Sequence, residues 1–396
     1  MNLSAPTLPE RLRRAAEAAA ETYGTPVYLL DWNAVAAEAA AISAAFEDAQ
    51  GFYAMKANPL LTLLARLAGQ GWGFEAVSAG ELERAQRAAP GAPVVLNGPG
   101  KTPAELDLAA GLGAVISLDA LDEIGRVPRG ASVLLRVNPG LEPRTHPHLA
   151  TGAANAKFGL LPADLDAALA ATSRAGLKLL GLHVHIGSLI EAPEDYARAF
   201  DVVAGLARRS GPLPVLDIGG GFGPDLDLPR VAALAAQAAA AFQARVWLEP
   251  GRRLVARAGL LVARVRSVKR TGRPFVILDA GMTELIRPML YGAEHPIVSL
   301  ARAPEGARPA AWVVAGPACE SGDILGQSVP LADPRPGDLL AVLVAGAYGS
   351  SMASGYLTRG RPPEVILDGE GLSLARRREE PADLIALETF RPIADI

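Results

Sequence analysis

The chain has 396 residues, of which 50% are hydrophobic and 20% charged. That is enough apolar material for one large domain and a smaller one, and it excludes a disordered chain. Acidic residues number 42 against 38 basic, a formal charge of −4, so no basic surplus exists to hold a nucleic-acid backbone.

The first 21 residues alternate Arg and Glu with Ala, which predicts an amphipathic helix and no secretory signal. No run of about eighteen apolar residues occurs, so no membrane span is expected. The lone cysteine, Cys319, leaves no intramolecular disulfide and points to a reducing, cytoplasmic setting.

Apolar runs then recur, each followed by an Ala/Leu/Glu/Arg-rich stretch. They begin near Gly51 (GFYAM), Trp72 (WGFEAV), Pro93 (PVVLN) and Ala114 (AVISL), successive starts lying 21 positions apart. SVLLRVN from Ser132, LLGLHVH from Leu179, PVLDIGG from Pro214 and RVWLE from Arg245 complete a set of eight. After the first run, Leu60, Leu63, Leu64 and Leu67 show helical spacing. Strand and helix alternating eight times predict a (β/α)8 barrel of the TIM type, with an open doubly wound sheet as the alternative. From about Gly259 the pattern changes to successive strand-like stretches: LLVARVRSV, PFVILDA, AAWVVAGP, DLLAVLVAG and PEVILDG. These predict a C-terminal all-β domain. The expected boundaries are 33–257 for the barrel and 258–396 for the β domain, with 1–32 contributing, since VYLLD at 27–31 precedes the first barrel strand.

Barrel enzymes carry their chemistry at the C-terminal ends of the strands. There the runs end in Lys56, Ser78, Asn97, Asn138, His185, a glycine run from Gly219, and Glu249. A lysine at the end of an apolar strand is desolvated, which lowers its pKa and favours a Schiff base; the plain alternative is a lysine reaching out to solvent. Bare amides in Asp217–Gly223 suit a phosphate, although glycine turns are common. His183 and His185 face one side of their strand. With no third ligand nearby in sequence, no metal is expected, and ring stacking competes with a simple core histidine. Glu249 beside a pyridine nitrogen would keep it protonated, while a surface Glu249–Arg252 pair is the bland reading. Together these groups describe a site for pyridoxal 5'-phosphate.

The motifs YAMKAN (53–58), HVHIGS (183–188), DIGGGFG (217–223), EPGR (249–252), RPMLY (287–291), CESGD (319–323) and AYGSSMASGY (347–356) occur in one order. In these, and in THPHLATGAANAKFG (145–159), the chain resembles the diaminopimelate decarboxylase family of fold type III, alanine-racemase-like pyridoxal-phosphate enzymes. The resemblance implies decarboxylation of meso-2,6-diaminopimelate to L-lysine, the last step of lysine biosynthesis. Carboxynorspermidine, ornithine, lysine or a carrier-linked amino acid are the alternative substrates. It implies that Lys56 carries the cofactor, His185 stacks on its ring and Ser188, Gly219, Gly220, Gly221 and Tyr348 hold its phosphate. Glu249 would meet the pyridine nitrogen, within the cofactor-binding EPGR motif that also supplies Gly251 and Arg252. Arg252, Arg287, Tyr291, Glu320 and Tyr348 would hold the substrate. Cys319 would protonate the carbanion, a thiol's ordinary pKa of about 8.5 suiting a donor. Arg287 and Tyr291, four apart, would share a helical face. In that family the cysteine and glutamate reach the other subunit's site, which implies a homodimer with shared active sites.

Overall fold

The architecture comes from a computed structural model, which describes residues 8–141, 156–270, 272–302, 306 and 308–389. Most of the family-like segment at 145–159 lies outside the described residues. Two compact units are present, Val35–Leu254 and Met1–Ala34 with Val255–Ile396.

A first strand, β1 (Val27–Asp31), precedes the barrel strands. These are β2 (Gln50–Ala54), β3 (Gly73–Ala76), β4 (Val94–Leu96), β5 (Val115–Leu118), β6 (Ser132–Val137), β7 (Lys178–Val184), β8 (Val215–Asp217) and β9 (Arg245–Leu248). They are parallel and close in chain order, β9 returning to β2 through Gln50↔Trp247 and Gly51↔Leu248. That closure excludes the open doubly wound sheet. Inside, Phe52, Val95, Leu134 and Val215 form one cluster, contributed by the alternate strands β2, β4, β6 and β8. A layer built from alternate strands is how a tilted eight-stranded barrel fills its interior.

Local chemistry sets the helices around it. The Leu61–Ala68 helix buries Leu63, Leu64 and Leu67 on one stripe. The Pro103–Gly111 helix starts from a capping box in which Thr102 and Glu105 satisfy each other's backbone amides, with proline preset at the first turn.

The other unit holds a nine-stranded sheet built from β1 and eight strands that follow the barrel. These are β10 (Gly259–Lys269), β11 (Phe275–Leu278), β12 (Ile297–Ser299), β13 (Ala310–Ala315), β14 (Ile324–Leu331), β15 (Leu339–Val342), β16 (Glu364–Asp368) and β17 (Gly371–Arg376). The sheet order is β14-β13-β11-β10-β1-β16-β17, and β15 pairs with both β10 and β12. The first half of β10, residues 259–263, reads as an apolar run because both its faces are covered. Leu261, Ala263 and Val265 enter one core, while Leu260 and Val262 enter another. The second core also takes Ala15, Ala16, Ala19 and Ala20, the apolar face of the N-terminal helix Glu10–Tyr23.

Candidate active site

The C-terminal ends of β2, β3, β4, β7, β8 and β9 bring the barrel's polar side chains into one mouth. Lys56 sits in the short helical turn Met55–Ala57, just past β2. Its ammonium is paired with the Glu75 carboxylate of β3, Glu75 being 1% exposed and the lysine side chain 40%. The expected desolvation of this lysine is therefore corrected. It projects into open space with its charge met by a buried carboxylate, which is the access a carbonyl ligand needs.

Asn97, past the end of β4, donates to three carboxylate oxygens. Its Nδ2 lies 3.1 Å from Glu75 Oε1, and 2.8 and 2.9 Å from the two oxygens of Glu249 past β9. Burial raises the Glu249 pKa well above the usual carboxylate range, and the neighbouring charges of Asp217 and Glu75 add to it. Asp217, at the end of β8, is pushed up to about 7, again by burial first. Two coupled buried carboxylates do not both ionise readily, so this pair shares protons as a unit. Glu81 is also pushed up to about 7, by burial and then by Glu75.

The two histidines part company. His183 is 1% exposed, and its Nδ1 shares a 2.8 Å hydrogen bond with Ser117 Oγ. Its Nε2 lies 3.6 Å from Glu249 Oε2. Burial holds its pKa well below the ordinary value, with Arg136 adding, so that approach is not an ion pair. His185 is likewise neutral, through burial and then Arg136. Its Nδ1 accepts the Gly220 amide at 3.1 Å, which leaves the proton on Nε2. His183, Asp217 and Glu249 bring one ligand atom each within 4.8 Å of one another. The absence of a third ligand expected from sequence is thus corrected, because β8 and β9 supply the carboxylates. Each is held from outside the trio, His183 by Ser117, Asp217 by the Gly219 amide and Glu249 by Asn97.

The glycine turn is tighter than a row of free donors. The Gly219 amide donates to Asp217 Oδ1 at 2.8 Å and that of Gly220 to His185, so these two are not the bare amides expected of this turn. Of the three, Gly221 has no acceptor for its amide among the described residues. Gly219 and Gly221 have φ of 65° and 88°, and a Cβ at Gly221 would lie 2.1 Å from the Gly187 oxygen. Ser188 Oγ accepts from Arg252 Nε at 3.2 Å, while Glu249 is buried and bonded to Asn97 rather than lying at the surface. A Cβ at Gly251 would lie 2.9 Å from the Ala54 oxygen, so this position needs glycine to let EPGR pass β2. Ser78 proves to be a helix cap, accepting the Glu81 amide at 3.2 Å, and Asn138 Oδ1 accepts the Gly140 amide at 2.9 Å.

The remaining candidates lie in the β unit. Arg287 and Tyr291 open and close the short helix Arg287–Tyr291. Arg287 is 8% exposed, and its Nη1 lies 3.3 Å from His295 Nε2. His295 Nδ1 is 3.0 Å from the Leu343 oxygen; a proton donated there leaves Nε2 free to accept from the arginine. Tyr348 has φ of 57°, the left-handed region that a bulky residue occupies only when its surroundings compel it. Cys319 and Glu320 are exposed on the turn from β13 to β14. Asp323 anchors that turn, accepting the Met282 and Ala318 amides at 2.6 and 2.9 Å, and Glu320 bonds the Tyr356 hydroxyl.

Sequence reading missed Glu75, Asn97's bridging part, His183's partner Ser117, and His295. Glu75 alone left a signal, a charge inside the apolar run WGFEAV. The mouth suits pyridoxal phosphate on its own chemistry. It presents an accessible amine, a buried carboxylate that a protonated ring nitrogen would ionise, and an uncommitted amide at Gly221. His183 Nε2, Asp217 Oδ2 and Asn97 Oδ1 are buried without a hydrogen-bond partner.

Comparison with known proteins agrees. Residues 33–256 match the family model described as pyridoxal-dependent decarboxylase, pyridoxal binding domain. A diaminopimelate decarboxylase of Deinococcus radiodurans is 51% identical over 379 residues, covering 95% of this chain and 99% of the relative. One from Neisseria meningitidis is 39% identical, covering 91% and 94%. The crystal structure of a Helicobacter pylori diaminopimelate decarboxylase variant complexed with L-lysine aligns with a TM-score of 0.88 and 32% identity, covering 94% of this chain and 98% of that one.

Proposed function

The chain belongs to the diaminopimelate decarboxylase family of pyridoxal-dependent decarboxylases, and on that premise we propose that it converts meso-2,6-diaminopimelate to L-lysine and carbon dioxide, closing lysine biosynthesis. The observation that carries this reading is the barrel mouth. There Lys56 and Glu249, an amine and a buried carboxylate, are joined through Glu75 and Asn97. Bound pyridoxal phosphate supplies the electron sink for the charge left on the α-carbon when a carboxylate departs.

Each residue has a part. Glu75 holds the Lys56 amine at the mouth, ready for the cofactor's aldehyde. Glu249 accepts a hydrogen bond from the ring nitrogen. His185, a neutral imidazole, covers a ring face. Ser188, the glycine turn through the Gly221 amide, and Tyr348 take the phosphate, and Gly251 and Arg252 complete that wall. Arg287 offers a fork for a carboxylate distal to the reacting carbon, and Arg252, Tyr291 and Tyr348 are assigned to the substrate with it. Cys319 Sγ delivers the proton to the α-carbon, and Glu320 holds the substrate's second amine.

Cys319 and Glu320 are exposed on an anchored turn, which supports a homodimer in which each subunit completes its partner's site. A lone cysteine, with no helix among the described residues long and apolar enough to cross a membrane, supports a cytoplasmic enzyme. The cofactor-binding barrel is assigned to 33–257 and the β domain to 258–396 with 1–32.

Carbon-dioxide release from meso-diaminopimelate, ornithine, lysine, carboxynorspermidine and a carrier-linked amino acid tests the substrate. Fastest release from diaminopimelate, with L-lysine as product, is expected. Release from one of the others and none from diaminopimelate would overturn the assignment.

A further inference from the structure

Glu249 and Glu75 belong to strands that do not touch. Strand β9 is bonded to β8 and β2, whereas β3 is bonded to β2 and β4. Asn97 closes that gap from past the end of β4. Three carboxylate oxygens lie within 3.1 Å of Nδ2, the arrangement in which the amide nitrogen donates to them. One N–H goes to Glu75, and the other is shared by both oxygens of Glu249. Asn97 is 5% exposed, and its backbone amide is bonded to the Ala76 oxygen at 2.8 Å, so the side chain is fixed from behind.

We infer that Asn97 is a positioning residue that locks the carboxylate holding Lys56 and the carboxylate facing the cofactor's ring nitrogen into one unit, and favours the ionised form of Glu249 that this nitrogen calls for. The inference rests on the cofactor assignment made above. The physical need is plain. Glu249 is buried among Asp217, Glu75, Lys56 and His183, with His185 and Arg136 beyond. Burial and both carboxylates oppose its charge. His183 is neutral and stands at 3.6 Å, so Asn97 supplies the close donation that favours the anion. The same amide stabilises Glu75 in its charged pairing with Lys56. The two ends of the cofactor, aldehyde and ring nitrogen, are thereby set by one side chain.

The test titrates cofactor-free protein with pyridoxal phosphate and follows the bound absorbance from about pH 5.5 to 8.5 for wild type, Asn97→Leu and Asn97→Asp. Asn97→Leu removes both donors and is expected to weaken binding roughly ten- to hundredfold at every pH. Asn97→Asp keeps the shape, adds a third carboxylate to Glu75 and Glu249, and is expected to weaken binding at least as much at the alkaline end. As pH falls, the introduced carboxyl takes a proton and donates one O–H, so affinity relative to wild type recovers. Turnover number falls in both variants with a smaller change in KM. Melting of the cofactor-free forms checks folding, and the isosteric Asn97→Asp carries the test if Asn97→Leu does not fold. Wild-type affinity in both variants, or equal losses at every pH in Asn97→Asp, would overturn the inference. Failure of wild type itself to form a borohydride-stable adduct would instead overturn the cofactor assignment.

Discussion

The barrel mouth and the loops of the β unit hold candidate residues of opposite character. In the mouth, Glu75, Asn97, His183, Asp217 and Glu249 are buried and bonded to one another or to fixed neighbours. In the β unit, Cys319 and Glu320 are exposed, and what is buried beneath them is the anchor, Asp323. Groups whose protonation state must be set are surrounded by the partners that set it. Groups that meet a substrate are held by the backbone and left bare. Arg287 combines both modes, a buried guanidinium oriented by His295.

The contrast has consequences that measurements can break. Changes at Cys319 and Arg287 in the β unit should alter turnover or substrate binding and spare the cofactor. Cys319→Ala is expected to keep bound pyridoxal phosphate and its absorbance while turnover falls about a hundredfold or more, the range for losing a proton donor. Full turnover would remove the thiol from that role. Arg287→Lys, which keeps the charge and loses the fork, is expected to raise KM for diaminopimelate about tenfold with unchanged absorbance. An unchanged KM would free Arg287 from contact with the distal carboxylate.

Changes in the mouth should instead appear without substrate. The Asp217 carboxyl, pushed up to about 7, holds in the folded protein a proton that the unfolded chain releases near pH 4. Its stabilising contribution is complete at low pH and is lost as pH rises toward 7. The melting temperature of cofactor-free wild type should therefore fall relative to Asp217→Asn across that interval, by several degrees. Parallel curves would show that the carboxyl titrates normally.

The sequence disclosed the barrel better than its chemistry. Parallel strands covered on both faces are bare apolar runs, so all eight could be placed within a residue or two of their starts. Strands β12, β14 and β17 passed unnoticed: β12 has three residues, and β14 and β17 end the sheet's main path. GLSLAR in β17 has no buried residue, and ILGQSVPL in β14 contains both Gly and Pro, so neither reads as an apolar run. Single strand-end residues such as Lys56 and Glu249 stood out by type. Their couplings did not, because Asn97 reaches Glu249 across 152 positions and Glu75 across 22, distances that no local pattern records. The opposite fates of the Gly219, Gly220 and Gly221 amides were equally hidden, since an amide's partner depends on where His185 and Asp217 arrive.

The most direct measurement reduces the purified protein with borohydride in the presence of pyridoxal phosphate and maps the labelled peptide. The label is expected on Lys56 within YAMKAN, and Lys56→Ala should show neither label nor turnover. A label on another lysine with Lys56 unmodified, or full turnover by Lys56→Ala, would contradict the account.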